Sequence, residues 1–159
     1  MERSDIGSWL GGPRAAADAA GVDLGYRGEQ LGRPPAGVGS VAGFGRRMAA
    51  LFVDWIGALL VAQLLVRAFG LDEMAKQWLV LALFALQVWL LTSLMGASFG
   101  QRLLGIGVSR LDSSALDPAR TGLRVLLLCL VLPAVVFDRD GRGLHDRAVG
   151  SVVTVTRSR

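Results

Sequence analysis

A long apolar segment that contains one acidic residue constrains this chain more than any other feature. Residues 46–69 read RRMAALFVDWIGALLVAQLLVRAF, which supplies the roughly 20 apolar residues that a helix needs to cross a bilayer. Asp54 lies inside this segment. A charged group at the middle of a spanning helix costs about 2.5–3.5 kcal/mol on insertion scales. We therefore expect a spanning helix whose Asp54 faces protein or water instead of lipid.

A second apolar segment follows at residues 77–95, QWLVLALFALQVWLLTSLM, after the short link GLDEMAK. Antiparallel packing of the two spans brings Gln87 to about the depth of Asp54, where its amide can donate a hydrogen bond to the carboxylate. Ala50 and Ala58 flank Asp54 at four-residue spacing, which permits close helix approach. Arg47, seven residues before Asp54, lies on the same helix face.

The charge pattern orients this helical hairpin and argues against a soluble protein. Only 19% of the residues are charged, against about 25% in ordinary soluble domains. Arg46, Arg47 and Arg102 flank the spans on one side, whereas the link carries Asp72 and Glu73, so the positive-inside rule places the N-terminus in the cytoplasm. Nucleic-acid binding is not expected, because the arginines cluster beside apolar segments and not along a soluble face.

The remaining chain predicts a small β element and a third helix. Residues 104–108 alternate apolar side chains with glycine, and residues 152–155 are rich in valine, so the two segments favour a paired sheet; two separate interfacial loops are the alternative. Asp117 and Pro118 are typical of a helix start. The apolar part of that helix, residues 125–137, is interrupted by Pro133 and, at about 20 Å, is short for a span. A re-entrant or half-inserted helix is expected, and a tilted full span is the alternative.

Together these features predict an all-α membrane protein: a two-span helical hairpin, a third re-entrant or tilted helix, and a small cytoplasmic β element. Residues 1–39, with scattered Gly, Pro and opposed charges, are expected to be a disordered cytoplasmic tail. Residues 40–156 are expected to form the membrane domain. A chain of this size is too small to enclose a wide pathway alone, so a homo-oligomer or a partner membrane protein is expected.

Three blocks of the sequence resemble the RDD family of small bacterial membrane proteins. They are RRMAALFVDW, GASFGQRLLGIGV and DRDGRGLHDRAVGSVV, and the resemblance covers residues 40–156. The glycine-rich lead-in GSVAGFGRR is similar to an actinobacterial subgroup. The resemblance implies a multi-pass protein of the bacterial cell membrane, for which transport is often suggested. It also implies that Arg47, with Arg46 as a possible substitute, is the family arginine, that Asp54 is the helix aspartate, and that Asp146 or else Asp138 is the second aspartate.

The candidate site residues are therefore Arg47, Asp54 and Asp146, supported by Arg46, Gln87, Asp138 and His145. His145 is adjacent to Asp146, but neighbouring side chains of an extended chain point to opposite faces, so their direct pairing is not expected. A charge network of Asp138, Asp146 and nearby arginines can also meet anionic lipid headgroups. No metal site is expected, because the segment DRDGRGLHD departs from the calcium-loop pattern and carries repelling arginines.

Two functions remain open. The first is a small oligomeric transporter or ion-coupled permease subunit centred on Asp54, whose carboxylate would carry a proton or cation. The second is a non-catalytic membrane scaffold or accessory protein in which the arginine and aspartate constellation holds the fold. No enzyme activity and no cofactor are expected, because the sequence offers no nucleophile together with its base.

Overall fold

The computed structural model describes residues 20–21, 25–112, 114–130, 138 and 140–157. The helices are α1 (Phe44–Phe69), α2 (Glu73–Met95), α3 (Phe99–Leu103), α4 (Pro118–Cys129) and α5 (Leu144–Ala148). A short 3-10 helix, Glu29–Leu31, precedes them. The strands β1 (Ile106–Arg110) and β2 (Ser151–Val155) form one antiparallel sheet. The described part is thus mostly helical with a two-stranded sheet, which confirms that part of the predicted fold.

Helices α1 and α2 form an antiparallel hairpin of membrane-spanning length. Their 26 and 23 residues correspond to about 39 Å and 34 Å. Gly70 ends α1 in the left-handed conformation, and the Asp72 carboxylate caps α2 by accepting from the Ala75 N–H at 2.6 Å. By length and composition both helices can cross a bilayer, and only 22% of the most apolar window of each is buried. That exposure is unlike the core helix of a soluble domain.

The two long helices meet along stripes of residues spaced four apart. On α1 the buried residues after Arg47 are Ala50, Asp54, Ala58 and Ala62, and on α2 they are Val80, Phe84, Val88 and Thr92. The small residues of α1 let the larger side chains of α2 approach closely. The predicted row of Ala50, Asp54 and Ala58 is therefore the contact face, and Asp54 lies within it.

Strands β1 and β2 pair from Ile106 with Val155 to Arg110 with Ser151. The chain before α1 extends this sheet, because the Ala42 N–H donates to the Val153 carbonyl at 2.9 Å. The Arg33 guanidinium also reaches the Leu111 carbonyl at 3.2 Å. Residues 25–39 thus make turns and contacts next to the sheet, and the boundary after residue 39 stays a prediction. Residues 1–19 and 22–24 of the predicted tail lie outside the described residues.

Helix α4 begins as predicted, with Asp117 accepting from the Arg120 N–H at 2.9 Å and Pro118 in the first turn. It docks on α2, where the Trp89 indole N–H donates to the Pro118 carbonyl at 2.9 Å. The 12 residues of α4 span about 18 Å, less than a bilayer core. Residues 131–137 lie outside the described part, so a re-entrant or spanning path for this segment stays a prediction.

Candidate functional site: two carboxylate clusters on helix α1

The Asp54 carboxylate is fully buried, and its hydrogen-bond donors come from α2 and from the start of α3. Oδ1 accepts from the Gln87 amide at 3.0 Å and from the Gly100 N–H at 2.8 Å. Oδ2 accepts from the Ser98 hydroxyl at 2.5 Å. The predicted contact between Gln87 and Asp54 is present, and the Gln87 amide also lies 3.2 Å from the Asp54 carbonyl. We call Asp54, Gln87, Ser98 and Gly100 the membrane cluster.

The start of α3 has the local structure that this carboxylate needs. Ser98 and Gln101 form a capping box, in which the Ser98 hydroxyl accepts from the Gln101 N–H and the Gln101 side chain accepts from the Ser98 N–H. The N–H of Gly100, at the second helical position, has no partner within the helix and is free to meet Asp54. A side chain at Gly100 would lie 2.2 Å from the Ala50 carbonyl oxygen, so only glycine allows this approach.

The Asp146 carboxylate is the centre of a second group of contacts, also fully buried. Oδ1 accepts from the Arg124 Nε–H at 2.6 Å and lies 3.0 Å from the Ser151 hydroxyl. Oδ2 lies 3.5 Å from Arg47 Nη1 and 3.5 Å from His145 Nε2. Arg47 also approaches the Val153 carbonyl at 3.4 Å. We call Arg47, Arg124, His145, Asp146 and Ser151 the arginine cluster.

The charges around Asp146 keep it ionised. Burial on its own raises the pKa of this carboxyl, but the positive charge of Arg124, then His145 and Arg47, and the hydrogen bond from Arg124 together hold the pKa well below its usual range. Asp146 is therefore an anion at neutral pH and joins α1, α4 and α5. A cavity of about 20 Å³ lies beside it.

The other predicted residues lie in different places. His145 is closer to Asp146 than expected, because residues 144–148 form a helix and not an extended chain. Asp138 lies outside the arginine cluster and pairs with Arg142 at 3.1 Å. Arg46 points away from both aspartates, and its Nε donates to the Leu104 carbonyl at 2.7 Å.

The two clusters share helix α1 and meet through α3. Arg47 and Asp54 are both on the buried face of α1, yet Arg47 contacts Asp146 and Asp54 contacts α2 and α3. Gln101 belongs to the capping box that presents Ser98 to Asp54, and it also lines the cavity of the arginine cluster. Gln101 therefore lies next to both clusters: it bonds to Ser98, and it lines the same cavity as Arg47 and Asp146.

Four members of these clusters, Ser98, Gly100, Arg124 and Ser151, are absent from the candidate residues that the sequence predicts. Ser98 has a detectable signal, because the spacing of Ser98 and Gln101 is that of a capping box. Arg124 also has one, as a charged residue within an otherwise apolar helix. Gly100 has none, because its importance depends on which carbonyl of α1 it approaches. Among the described residues, no group of three or more His, Cys, Asp or Glu side chains could hold a metal ion.

Comparison with known proteins places these clusters in a family context. The model of the RDD family matches residues 41–150, a range that contains α1 to α5, β1 and both aspartates. No curated protein and no solved structure matches the chain.

Proposed function

This chain belongs to the RDD family and is a membrane protein with two apolar helices, and from that premise we propose that it is a non-catalytic membrane scaffold or accessory protein. The observation that carries the proposal is that donors from separate elements surround both aspartates. Asp54 joins α1 to α2 and α3, and Asp146 joins α1 to α4 and α5. A carboxylate held in this way fixes helix packing and leaves little room for a solute.

Transport is the second candidate, because hydrogen bonds lead from Asp54 through Ser98 to Gln101, which lines the cavity of the arginine cluster. The Ser98 hydroxyl bridges Asp54 to Gln101, which lines the cavity. A proton or cation released from Asp54 would have hydrogen-bonding groups to follow toward His145 and Asp146. In this candidate Asp54 titrates or binds the ion, and an oligomer or partner protein completes the pathway.

Two substitutions at one hydrogen bond distinguish these functions. Asp54→Asn removes the charge, and Ser98→Ala removes the hydroxyl donor but keeps the charge. A scaffold predicts that both variants lower thermal stability in detergent, and that wild-type proteoliposomes show no proton or sodium flux above empty liposomes. A transporter predicts wild-type flux that Asp54→Asn abolishes in folded protein and that Ser98→Ala lowers, because the Ser98 hydroxyl belongs to the path.

The matched control is Asp72→Asn, at the N-cap of α2. Asn and Asp are about equally good at this position, so the control is expected to behave as the wild type in both assays. Wild-type flux that is lost in folded Asp54→Asn but kept in Asp72→Asn would contradict the scaffold proposal.

The proposal includes the lipid surroundings and the orientation. Arg102 and Arg157 line a cleft of about 220 Å³ beside Met95, at the end of α2. Basic groups at a membrane boundary attract anionic headgroups, so we place such contacts in this cleft, in a bacterial cell membrane.

With the N-terminus in the cytoplasm, a re-entrant third helix keeps a reporter fused after Arg159 on the cytoplasmic side, whereas a full third span moves it outside.

A further inference from the structure

The cavity of the arginine cluster has a lining unlike that of an ordinary packing defect. Its polar lining is Arg47, Gln101, Arg124, His145 and Asp146, and its apolar lining is Met48, Leu51, Leu128 and Val153. The volume of about 20 Å³ is enough for one water molecule or one small ion. Empty cavities in proteins are apolar, so a cavity with this polar lining is expected to be occupied.

Several buried donors at this cavity lack an acceptor. Arg47 Nε, Arg47 Nη1 and Arg124 Nη1 form no hydrogen bond with any residue that the structure describes, and the same is true of the acceptor Asp146 Oδ2. Both side chains are more than nine-tenths buried, with Arg47 8% and Arg124 3% exposed. A charged donor buried without an acceptor is strongly unfavourable, so these N–H groups call for an acceptor in the cavity.

The charges of the lining favour an anion over water. Two guanidinium groups, which stay protonated in proteins, face the single carboxylate of Asp146. The described lining residues therefore carry one positive charge in excess, even with His145 neutral, although Asp138, outside the lining, also acts on Arg47. Water can accept from the arginines but cannot balance this charge, and a buried unbalanced charge is costly.

The two oxygens of the Asp146 carboxylate face different partners. Its Oδ1 is directed to Arg124 Nε and Ser151, while Oδ2 is 3.5 Å from Arg47 Nη1. The nearby negative charge disfavours multivalent anions, and the small volume disfavours carboxylates with bulky substituents. We propose that this cavity binds a small monovalent inorganic anion of the halide class, held by Arg47 and Arg124. The proposal is independent of whether the protein is a scaffold or a transporter.

The test is a salt-exchange experiment on the full chain purified in detergent. Thermal unfolding is followed by tryptophan fluorescence while chloride replaces gluconate at constant ionic strength. Binding to the folded state alone raises Tm with ligand concentration, and we expect a rise that grows with the logarithm of the chloride concentration and reaches about 5 °C at 200 mM chloride. Bromide is expected to act like chloride, and a bromide-soaked crystal is expected to show anomalous density between the two arginines.

Arg47→Gln is expected to abolish the chloride response, because it removes one of the two guanidinium groups. Arg120→Gln is the matched control: Arg120 is half-exposed on α4 and pairs with Asp117, so its variant is expected to keep the wild-type response. If Arg47→Gln does not fold, the bromide site in the wild type decides the question. A wild-type Tm that is indifferent to chloride, an equal loss of response in both variants, or a cavity that holds water without bromide would overturn the proposal.

Discussion

Substitution of Gly100 by alanine tests the geometry of the membrane cluster most directly. The added Cβ would lie 2.2 Å from the Ala50 carbonyl oxygen and 3.2 Å from Asp54 Cγ. A comfortable carbon–oxygen contact is about 3.3 Å, so α3 would have to retreat from α1 by about 1 Å. The Gly100 N–H, now 2.8 Å from Asp54, would then lie at about 3.8 Å, beyond hydrogen-bonding distance.

The expected cost follows from these two effects. Overpacking a tight contact costs about 1–3 kcal/mol, and losing a hydrogen bond to a charged group costs about 1.5–3 kcal/mol. Together they lower the free energy of unfolding by about 3–5 kcal/mol. For a chain of this length about 3 °C of Tm is lost per kcal/mol, so we expect Gly100→Ala to melt about 10 °C below the wild type.

The assay is thermal unfolding in detergent with tryptophan fluorescence as the signal, and Gly57→Ala is the matched control. Gly57 is also a helical glycine, and a Cβ there meets nothing within 4 Å. Alanine at Gly57 is expected to be neutral or to stabilise by up to about 1 kcal/mol through helix propensity. If Gly100→Ala melts within about 2 °C of Gly57→Ala, the close approach of α3 to α1 is not what fixes Asp54.

Three further predictions concern the carboxylates and their donors. Asp146→Asn leaves Arg124 buried without its counter-charge and is expected to cost about 3–5 kcal/mol in chemical unfolding, whereas Glu73→Gln, in the exposed pair with Lys76, is expected to cost at most about 1 kcal/mol; similar losses would contradict the arginine cluster. The pKa of Asp146 is lower in the folded state than in the unfolded state. The ionised carboxylate therefore stabilises the folded protein above the unfolded pKa of about 3.9, and this stabilisation is lost as the pH falls below that value. We expect the Tm of the wild type to decline from about pH 4 downward more steeply than the Tm of Asp146→Asn. Gln87→Leu removes one donor to Asp54 and is expected to cost about 1–2 kcal/mol in the same unfolding assay; an unchanged stability would mean that this hydrogen bond is dispensable.

Sequence reasoning succeeds where local periodicity determines the contact. The contact between Gln87 and Asp54 could be predicted from the antiparallel pairing of two apolar helices, because the short link determines which residues of the two helices lie at the same depth. The pairing of β1 and β2 could also be predicted, because Ile106 and Val108 alternate with small residues and because Val152 and Val153 are β-branched. In each case the information is contained within a few residues.

Contacts that depend on how separate elements dock could not be predicted from the sequence. Arg47 and Asp54 share a helix face, so pairing between them was one possibility, but seven residues separate them by about 10 Å along the axis. Arg47 instead reaches Asp146, about a hundred residues later, and only the docking of α4 brings Arg124 to the same carboxylate. The contact of His145 with Asp146 differs from the prediction for a simpler reason, because residues 144–148 form a helix and not an extended chain.

The spacing of Arg47 and Asp54 explains why these two polar side chains lie on the same helix. Seven residues amount to nearly two complete turns, so the two side chains leave α1 in nearly the same direction. A shift of α1 by one residue would rotate both by about 100° and move Asp54 toward lipid, where a carboxylate costs about 2.5–3.5 kcal/mol. The same shift would separate Arg47 from Asp146. Apolar packing in a membrane distinguishes such rotations poorly, because lipid chains are as apolar as leucine. Two polar side chains on one face of α1 therefore fix the rotation of this helix about its axis. With this rotation, Asp54 meets α2 and α3, and Arg47 meets Asp146, which α4 and α5 hold in place.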